Sequence, residues 1–250
     1  MEDLNNKSYE DRIKDIKDNL YLGGGIGQAT ALKLAEEKVK IILLGGNNIE
    51  KLNTTQRLLE EKTTCFTIPG NLTNLDFLRN SIEQIVGKFN GIDILINNAG
   101  IAINSPFEKI QEDDFDKIMN INVKVPFFLS QLAIPYLKKS NCATIINISS
   151  IVAYAGYPLQ SAYVASKHAL QGFTKSLASE YYKDNIRVHA ICPGGVYTDM
   201  VKVSRPDLSK EGMIMPEDIA NIIHFLLTNR NNAVIDEILV HRVNKEPFLV

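Results

Sequence analysis

The sequence has no tryptophan and only three cysteines, Cys65, Cys142 and Cys192. The cysteines are odd in number and far apart, so they lack the paired spacing of a zinc site or of a disulfide framework. This pattern indicates reduced thiols and favours a cytoplasmic protein. The chain also has no apolar run long enough for a membrane span, and its polar first 19 residues lack the apolar segment of a signal peptide.

An excess of charge of either sign is missing as well. The chain has 27 Lys and Arg against 29 Asp and Glu, and its basic residues are scattered rather than massed on one element. This balance argues against a nucleic-acid partner. At 250 residues with 45% hydrophobic residues, the composition predicts one globular domain over 1–250, with a polar N-terminal extension over 1–18.

Short β-rich apolar runs alternate with helical patterns along the chain. Runs of this kind read as strands buried on both faces, which are typical of parallel sheets. Their alternation with helices predicts an α/β fold with a doubly wound parallel sheet and helices on both faces. The predicted strands are 39–45, 63–68, 93–97, 144–149, 186–191 and 237–241, with a first strand near 19–22.

The predicted strands end in small and polar residues. In an open parallel sheet, ligands bind beyond the carboxyl ends of the strands, near the point where strand order reverses. The strand ends here carry Gly45-Gly46, Asn71, Asn97 to Gly100, Ser149-Ser150 and Pro193-Gly194. Such residues allow a close approach of the backbone to a ligand, so we expect the site at this edge.

Tyr163 and Lys167 stand four residues apart in YVASK, on one face of a predicted helix. A pair of this kind is expected by chance in a chain of this composition. It occurs here together with LINNAG (95–100), INV (121–123), ISS (148–150), PGGVYT (193–198) and PEDIA (216–220), in that chain order. In this combination the sequence resembles the short-chain dehydrogenase/reductase family of Rossmann-fold, NAD(P)-dependent oxidoreductases, from about Gly23 to the last strand.

The resemblance implies that Tyr163 is the general acid and base, supported by Ser150, Lys167 and Asn122. A phenol has a pKa of about 10, and an adjacent ammonium favours the phenolate, so we expect Lys167 to lower the pKa of Tyr163. Ser150 would orient the substrate oxygen. Asn122 would lie in a kinked helix and hold a water for proton relay, as the family implies.

The glycine run LYLGGGIG (20–27) follows a predicted strand and opens a helix, which is the context of a dinucleotide-binding loop. Alignment without a gap places Tyr21 where the family has its first glycine, whereas a loop shortened by two residues gives that place to Gly23. The resemblance then implies a cofactor-binding set of Gly23, Gly25, Ile26, Gly27, Asn71, Leu72, Asn98, Ala99, Gly100, Tyr163, Lys167, Pro193, Gly194, Val196 and Thr198.

Two departures from the family bear on the choice of cofactor. Gly45 and Gly46 stand where an acidic residue would bind the ribose hydroxyls of NAD, and Asn47, Asn48 or Lys51 could donate to a 2′-phosphate, so the sequence favours NADP over NAD. Asn71 stands where the family usually has an aspartate near adenine, and its amide oxygen could still accept a hydrogen bond there.

The reading that follows is an oxidoreductase that interconverts a secondary alcohol and a ketone, without a metal. Residues 199–214 are charged and proline-interrupted, which predicts a substrate lid too irregular for a stable helix. The resemblance also implies a homodimer or homotetramer. The alternative is a binding or scaffold protein that keeps the fold but has lost productive cofactor binding, suggested by Tyr21 and the paired glycines.

Overall fold

The computed structural model of the protein describes residues 18–20, 25–46, 49–204 and 209–246. Within these residues, seven strands form one sheet in the order β3-β2-β1-β4-β5-β6-β7, and every neighbouring pair is parallel. The strands are β1 (Asp18–Leu20), β2 (Lys40–Leu44), β3 (Cys65–Ile68), β4 (Ile94–Asn97), β5 (Thr144–Ile148), β6 (Arg187–Pro193) and β7 (Glu237–Val240). The predicted α/β class and parallel sheet are confirmed.

Eight α-helices connect these strands in the described part of the chain. They are α1 (Ile26–Ala35), α2 (Ile49–Glu60), α3 (Leu75–Phe89), α4 (Glu112–Met119), α5 (Val125–Leu137), α6 (Ser161–Tyr181), α7 (Asp199–Ser204) and α8 (Pro216–Thr228). Short 3₁₀ turns cover Phe107–Lys109, Ile151–Ala153 and Tyr182–Asp184.

The core divides into two layers, one on each face of the sheet. In β2, Ile41 and Leu43 belong to one apolar cluster, and Ile42 and Leu44 belong to the other. This alternation follows from the two-residue period of a strand, and it explains why the central strands read as continuous apolar runs. The first cluster is completed by α1, α2 and α8, and the second by α3, α5 and α6.

The long predicted helix that carries Asn122 is interrupted. Helix α4 passes into a π-helical turn over Asn120–Lys124, and α5 continues from there. A π-helical turn changes the direction in which side chains project, and such turns are frequent at functional sites. This π-helical turn corresponds to the kink that the family resemblance implies at Asn122.

Residues 199–214 differ from their predicted structure. They were expected to form no stable helix, yet Asp199–Ser204 forms α7. The helix is short, and Arg205-Pro206, which follow it in the sequence, lie outside the described residues.

Strand β1 lies in the interior of the sheet, hydrogen-bonded to β2 on one side and to β4 on the other. Strand order reverses at β1, so the carboxyl ends of β1 and β4 flank the expected ligand crevice. Tyr21, Leu22 and most of the polar extension at 1–18 lie outside the described residues. Among the described residues, no helix is both long and apolar enough to cross a membrane.

Candidate active site

A cavity of about 460 Å³ lies along the carboxyl edge of the sheet. Its walls are the segments that follow β2, β3, β4, β5 and β6, together with the first turn of α1 after β1, one face of α6 and the first turn of α7. They include Leu44 to Gly46, Gly70 to Leu72, Asn98 to Ile101, Ile148 to Ser150, and Pro193, Gly194 and Val196. The crevice therefore lies where the strand topology places it.

Most of the residues singled out from the sequence line this cavity. They are Gly25, Ile26, Asn71, Leu72, Asn98, Ala99, Gly100, Ser150, Tyr163, Lys167, Pro193, Gly194, Val196 and Thr198. Two others do not: Gly27 is buried inside α1, and Asn122 lies behind the wall. Gly23 lies outside the described residues.

Ser150, Tyr163 and Lys167 meet at one end of the cavity. Ser150 lies two residues after the end of β5 and is 7% exposed. The ammonium of Lys167, a residue that is 4% exposed, lies 5.7 Å from the ring centre of Tyr163. Lys167 Nζ donates a hydrogen bond of 2.9 Å to the Ile148 carbonyl, which fixes the ammonium against β5. A phenol, an ammonium and a hydroxyl thus converge on one volume, as acid–base chemistry on a substrate oxygen requires.

The electrostatics of this group differ from the expectation drawn from the sequence. Burial raises the pKa of Tyr163, and its hydrogen bond with Ser150 opposes that rise without cancelling it. Burial also lowers the pKa of Lys167 to about 8. The lowering of the Tyr163 pKa that was expected from Lys167 is therefore wrong for this structure, because desolvation of the phenolate is the largest effect on this group.

Asn122 links the cavity wall to the helix that carries Tyr163. Its Oδ1 accepts from the Ile101 amide at 2.9 Å, while its Nδ2 donates to the Ile101 carbonyl at 2.9 Å and to Ser166 Oγ at 3.0 Å. Both amide protons are thus used within the protein, and the side chain is fully buried. These contacts give Asn122 a positioning role, whereas the water relay remains an expectation from the resemblance.

A second set of buried amides lies beneath the cavity floor. Asn97 Nδ2 donates to Asn147 Oδ1 at 2.8 Å and to Ser130 Oγ at 3.2 Å, and Asn147 Nδ2 donates to Thr174 Oγ1 at 2.8 Å. This network joins β4, β5, α5 and α6. Satisfied buried networks hold neighbouring elements in one arrangement, and this one sets α6 against the strand ends.

The first turn of α1 is built for a close approach. Gly25 precedes the helix with a φ of 51°, and a Cβ at this position would lie 3.1 Å from Thr198 Cγ2. A side chain would be strained here and would crowd the cavity wall. The start of α1 therefore lies at the cavity wall, since Gly25 and Ile26 line the cavity, and a helix N-terminus in such a place can bind phosphate groups.

At the opposite end of the cavity, the surroundings of Gly45 leave no room for an acidic side chain at this position. Gly45 has a φ of 84°, and a Cβ there would lie 2.5 Å from Cγ of Leu72. The side chain of Leu72 thus occupies the space that an aspartate would need. In addition, Asn71 Oδ1 already accepts from the amide and the hydroxyl of Thr73, so a contact with adenine would compete with these bonds.

Several lining residues were not among the candidates chosen from the sequence. Ile121, Met200 and Val201 add apolar surface, and Asp199 brings a carboxylate. Asp199 Oδ2 pairs with Lys51 Nζ at 2.6 Å across 148 positions of the chain. The position of Asp199 directly after PGGVYT could have indicated that this residue lies near the site. Its contact with Lys51 could not have been found in this way, because no local pattern indicates a contact between residues so far apart in sequence. In the described residues, no group of three or more His, Cys, Asp or Glu is placed to hold a metal ion.

The comparison with protein families agrees with this geometry. Residues 22–209 match the family model described as short chain dehydrogenase. The chain belongs to the short chain dehydrogenase family. The resemblance inferred from YVASK and its companion motifs is thereby confirmed, and the chain is an oxidoreductase of this family.

Characterised relatives extend over most of the chain. It is 33% identical over 227 residues to a 3-oxoacyl-[acyl-carrier-protein] reductase, FabG, of Thermotoga maritima, covering 86% of this chain and 91% of the relative. It is 36% identical over 227 residues to a 3alpha-hydroxysteroid dehydrogenase of Mediterraneibacter gnavus, covering 86% and 90%. These relatives favour an enzyme over the non-catalytic scaffold.

Solved structures of the family share the fold. Levodione reductase superposes with a TM-score of 0.80 at 26% identity, covering 90% of this chain and 95% of that one. A metagenomic short-chain oxidoreductase in complex with NADP superposes with a TM-score of 0.79 at 25% identity, covering 92% and 100%. The seven-stranded arrangement is therefore the short chain dehydrogenase fold.

Proposed function

We propose that this oxidoreductase interconverts a secondary alcohol and a ketone with NADP as its preferred cofactor, and with NAD as the alternative. The observation that carries the proposal is the single cavity that joins Ser150, Tyr163 and Lys167 at one end to Gly25, Gly45 and Asn71 at the other. The lining thus includes both the Ser150, Tyr163 and Lys167 group and the start of α1, as binding of a dinucleotide beside a small substrate requires. The named activities of the relatives, a reductase of an oxo group and a dehydrogenase of a hydroxy group, support the same reaction class.

The residues present fit a dinucleotide. Gly25 and Ile26 bring the start of α1 to the cavity, and Gly25 has no side chain that could crowd Thr198 in its wall. We assign the pyrophosphate to Gly25 and Ile26, the adenosine to the Gly45–Leu72 end, and the nicotinamide end to Asn98 to Gly100, Pro193, Gly194, Val196 and Thr198. When bound, the cofactor supplies or accepts the hydride.

In this proposal the chain's own residues handle the proton. Tyr163 gives its proton to the oxygen of a ketone during reduction and takes it back during oxidation. Ser150 orients that oxygen, because its hydroxyl lies beside Tyr163 and is held by the Pro193 carbonyl at 3.3 Å. The raised pKa of Tyr163 keeps the phenol protonated at neutral pH, which suits reduction.

Lys167 and Asn122 hold this arrangement. The Lys167 ammonium beside the ring stabilises negative charge that develops on the Tyr163 oxygen. Asn122 ties the 98–101 segment to α6, so that the nicotinamide wall and Tyr163 keep a fixed distance. We further propose that Met200 and Val201 on α7 form an apolar lid over the substrate, that the chain is one domain, and that it is a cytoplasmic homodimer or homotetramer.

The test is a fluorescence titration of the purified protein with NADPH and NADH in separate experiments, followed by a screen of ketones for NADPH oxidation. Tyr163→Phe is the matched variant, since it removes one hydroxyl and retains the ring. We expect micromolar binding of NADPH by both proteins, and turnover by the unaltered protein only. Absence of binding of either nucleotide at millimolar concentration would overturn the proposal.

A further inference from the structure

The ion pair between Lys51 and Asp199 spans the mouth of the cavity. Lys51 lies in the first turn of α2, close to the Gly45–Gly46 end, whereas Asp199 is the first residue of α7. Both residues line the cavity, and their charged atoms are 2.6 Å apart. The pair therefore connects the wall assigned to adenosine with the helix assigned to the substrate lid.

Lys51 can readily exchange the Asp199 carboxylate for another anionic partner. The side chains of Lys51 and Asp199 are 54% and 66% exposed, and exposed ion pairs contribute little to stability because water screens them. A phosphate monoester carries more negative charge near neutral pH than a carboxylate, and it offers three acceptor oxygens. It would therefore compete well for the Lys51 ammonium.

Resting on the proposed NADP-dependent function, we infer that Asp199 and the 2′-phosphate of NADP compete for Lys51, so that the cofactor's 2′ group controls whether α7 is tied to the adenosine wall. Without the 2′-phosphate, Lys51 holds Asp199 and the lid helix. With it, Lys51 turns to the phosphate, and repulsion between two negative groups moves Asp199 away. NAD has no 2′-phosphate and leaves the pair intact. Asp199 is thus a specificity-determining residue that acts through Lys51.

Nucleotide affinity provides the first test. Asp199→Asn removes the competing charge and retains the side-chain size, so NADPH should bind about fivefold more tightly and NADH unchanged. Lys51→Met should weaken NADPH binding about tenfold, the scale of one hydrogen bond to a charged group, again without an effect on NADH. In the Lys51→Met background, Asp199→Asn should have a smaller effect on NADPH binding, because the competition for the ammonium no longer exists and only the repulsion between the 2′-phosphate and Asp199 remains.

Limited proteolysis tests the tie to α7 without any catalysis. Trypsin can cut after Lys202 and Lys210, whereas Arg205 is followed by proline and resists cleavage. In the free protein, Lys51→Met and Asp199→Asn should each accelerate cleavage twofold to fivefold, roughly the range of an exposed pair. Lys51→Arg keeps a cation opposite Asp199 and adds no cleavage site in α7, so it should keep the slow rate.

The choice of bound nucleotide should distinguish the state with an intact Lys51–Asp199 pair from the state in which the pair is broken. With NADH, the unaltered protein should be cleaved more slowly than Asp199→Asn, since the pair is intact. With NADPH, the two proteins should be cleaved at the same rate, since the pair is already broken. Each comparison is made within one nucleotide, so general protection by the ligand cancels.

Lys33→Met is the matched control. Lys33 on α1 pairs with Glu36, the residue just after that helix, at the same distance of 2.6 Å, and neither residue lines the cavity. This variant should change neither affinity nor cleavage. If Asp199→Asn alters NADPH and NADH binding equally, or if cleavage ignores both variants, the inference is wrong while the proposed function stands. If the unaltered protein binds neither nucleotide, both fail together.

Discussion

Lys167 Nζ donates to the Ile148 carbonyl at 2.9 Å, so the ammonium beside Tyr163 is fixed to the interior strand β5. The same burial that fixes it lowers the pKa of Lys167 to about 8. Its charge is therefore present at neutral pH and lost under mildly alkaline conditions. The titration of Lys167 can therefore be followed by measuring the reaction rate as a function of pH.

We expect ketone reduction to depend on pH through Lys167. The kcat/KM value should be nearly constant below pH 8 and should fall above about pH 8, where the ammonium loses its proton. The measurement is a pH profile from 6 to 10 with a ketone found in the screen. In Lys167→Arg the guanidinium stays charged, so the fall near pH 8 should disappear. A flat profile in the unaltered enzyme would contradict the assignment.

Lys167→Met should stabilise the fold while it impairs catalysis. The fall of the Lys167 pKa from 10.5 to about 8 corresponds to roughly 3 kcal/mol of cost at neutral pH, and the lost hydrogen bond to Ile148 offsets about 1 kcal/mol. Denaturant unfolding at pH 7 should thus show a gain of about 2 kcal/mol.

The pH dependence of that gain provides a control. Between pH 8 and 10.5 the unfolded chain binds more protons at Lys167 than the folded chain does, so the stability of the unaltered protein rises with pH in that window. The methionine variant lacks this contribution, and the gap between the two proteins should close towards pH 10.5. A gap that stays constant would show that repacking, rather than charge, caused the gain.

Asn122→Ala should reduce both stability and turnover. It removes three hydrogen bonds and leaves buried groups of Ile101 and Ser166 without that partner, at a cost of about 2–4 kcal/mol. The nicotinamide wall then loses its tie to α6, and we expect kcat to fall by more than tenfold.

Ser130→Ala separates the two effects of that change. It removes a buried contact with Asn97 at 3.2 Å, away from Tyr163. Compared at temperatures equally far below each melting point, kcat should be nearly normal in Ser130→Ala and low in Asn122→Ala. Equal values of kcat would indicate that Asn122 matters only for stability.

Gly45→Asp should fail to create a preference for NADH. The backbone of the new aspartate would have to keep a φ of 84°, and its Cβ would collide with Leu72. We therefore expect a loss of about 2–3 kcal/mol in the free energy of unfolding. Adding Leu72→Ala removes the collision and should recover part of this loss. Thermal unfolding and titration with both nucleotides check the result. Tight NADH binding by the single variant would refute the steric argument.

The thiols should be unreactive in the folded protein. Burial raises the pKa of Cys65 and of Cys192 to about 11 in each case, and Cys142 is buried. Because the thiolate is the reactive form, modification by a disulfide reagent at pH 8 should be slow in the native state and should reach all three cysteines after unfolding. Rapid loss of activity with the reagent would contradict this.

The sequence by itself determined the class of the fold and the composition of the site. Buried runs such as KIILL in β2 and TIINI in β5 can be recognised locally, because a strand covered on both faces must be apolar throughout. Parallel strands then bring their carboxyl ends to one edge, so Ser150, Asn98 and Pro193 could be expected together. Tyr163 and Lys167 followed from their spacing within a set of motifs in family order.

Only the tertiary structure decided how these groups behave. The direction of the Tyr163 pKa depends on how much solvent is removed around the phenol, and local sequence does not encode that quantity. Three such features join segments distant in sequence. They are the packing of Leu72 against Gly45, the hydrogen bonds of Asn122 with Ile101, and the ion pair between Lys51 and Asp199. Such contacts arise from packing, and packing determines what the predicted residues can do.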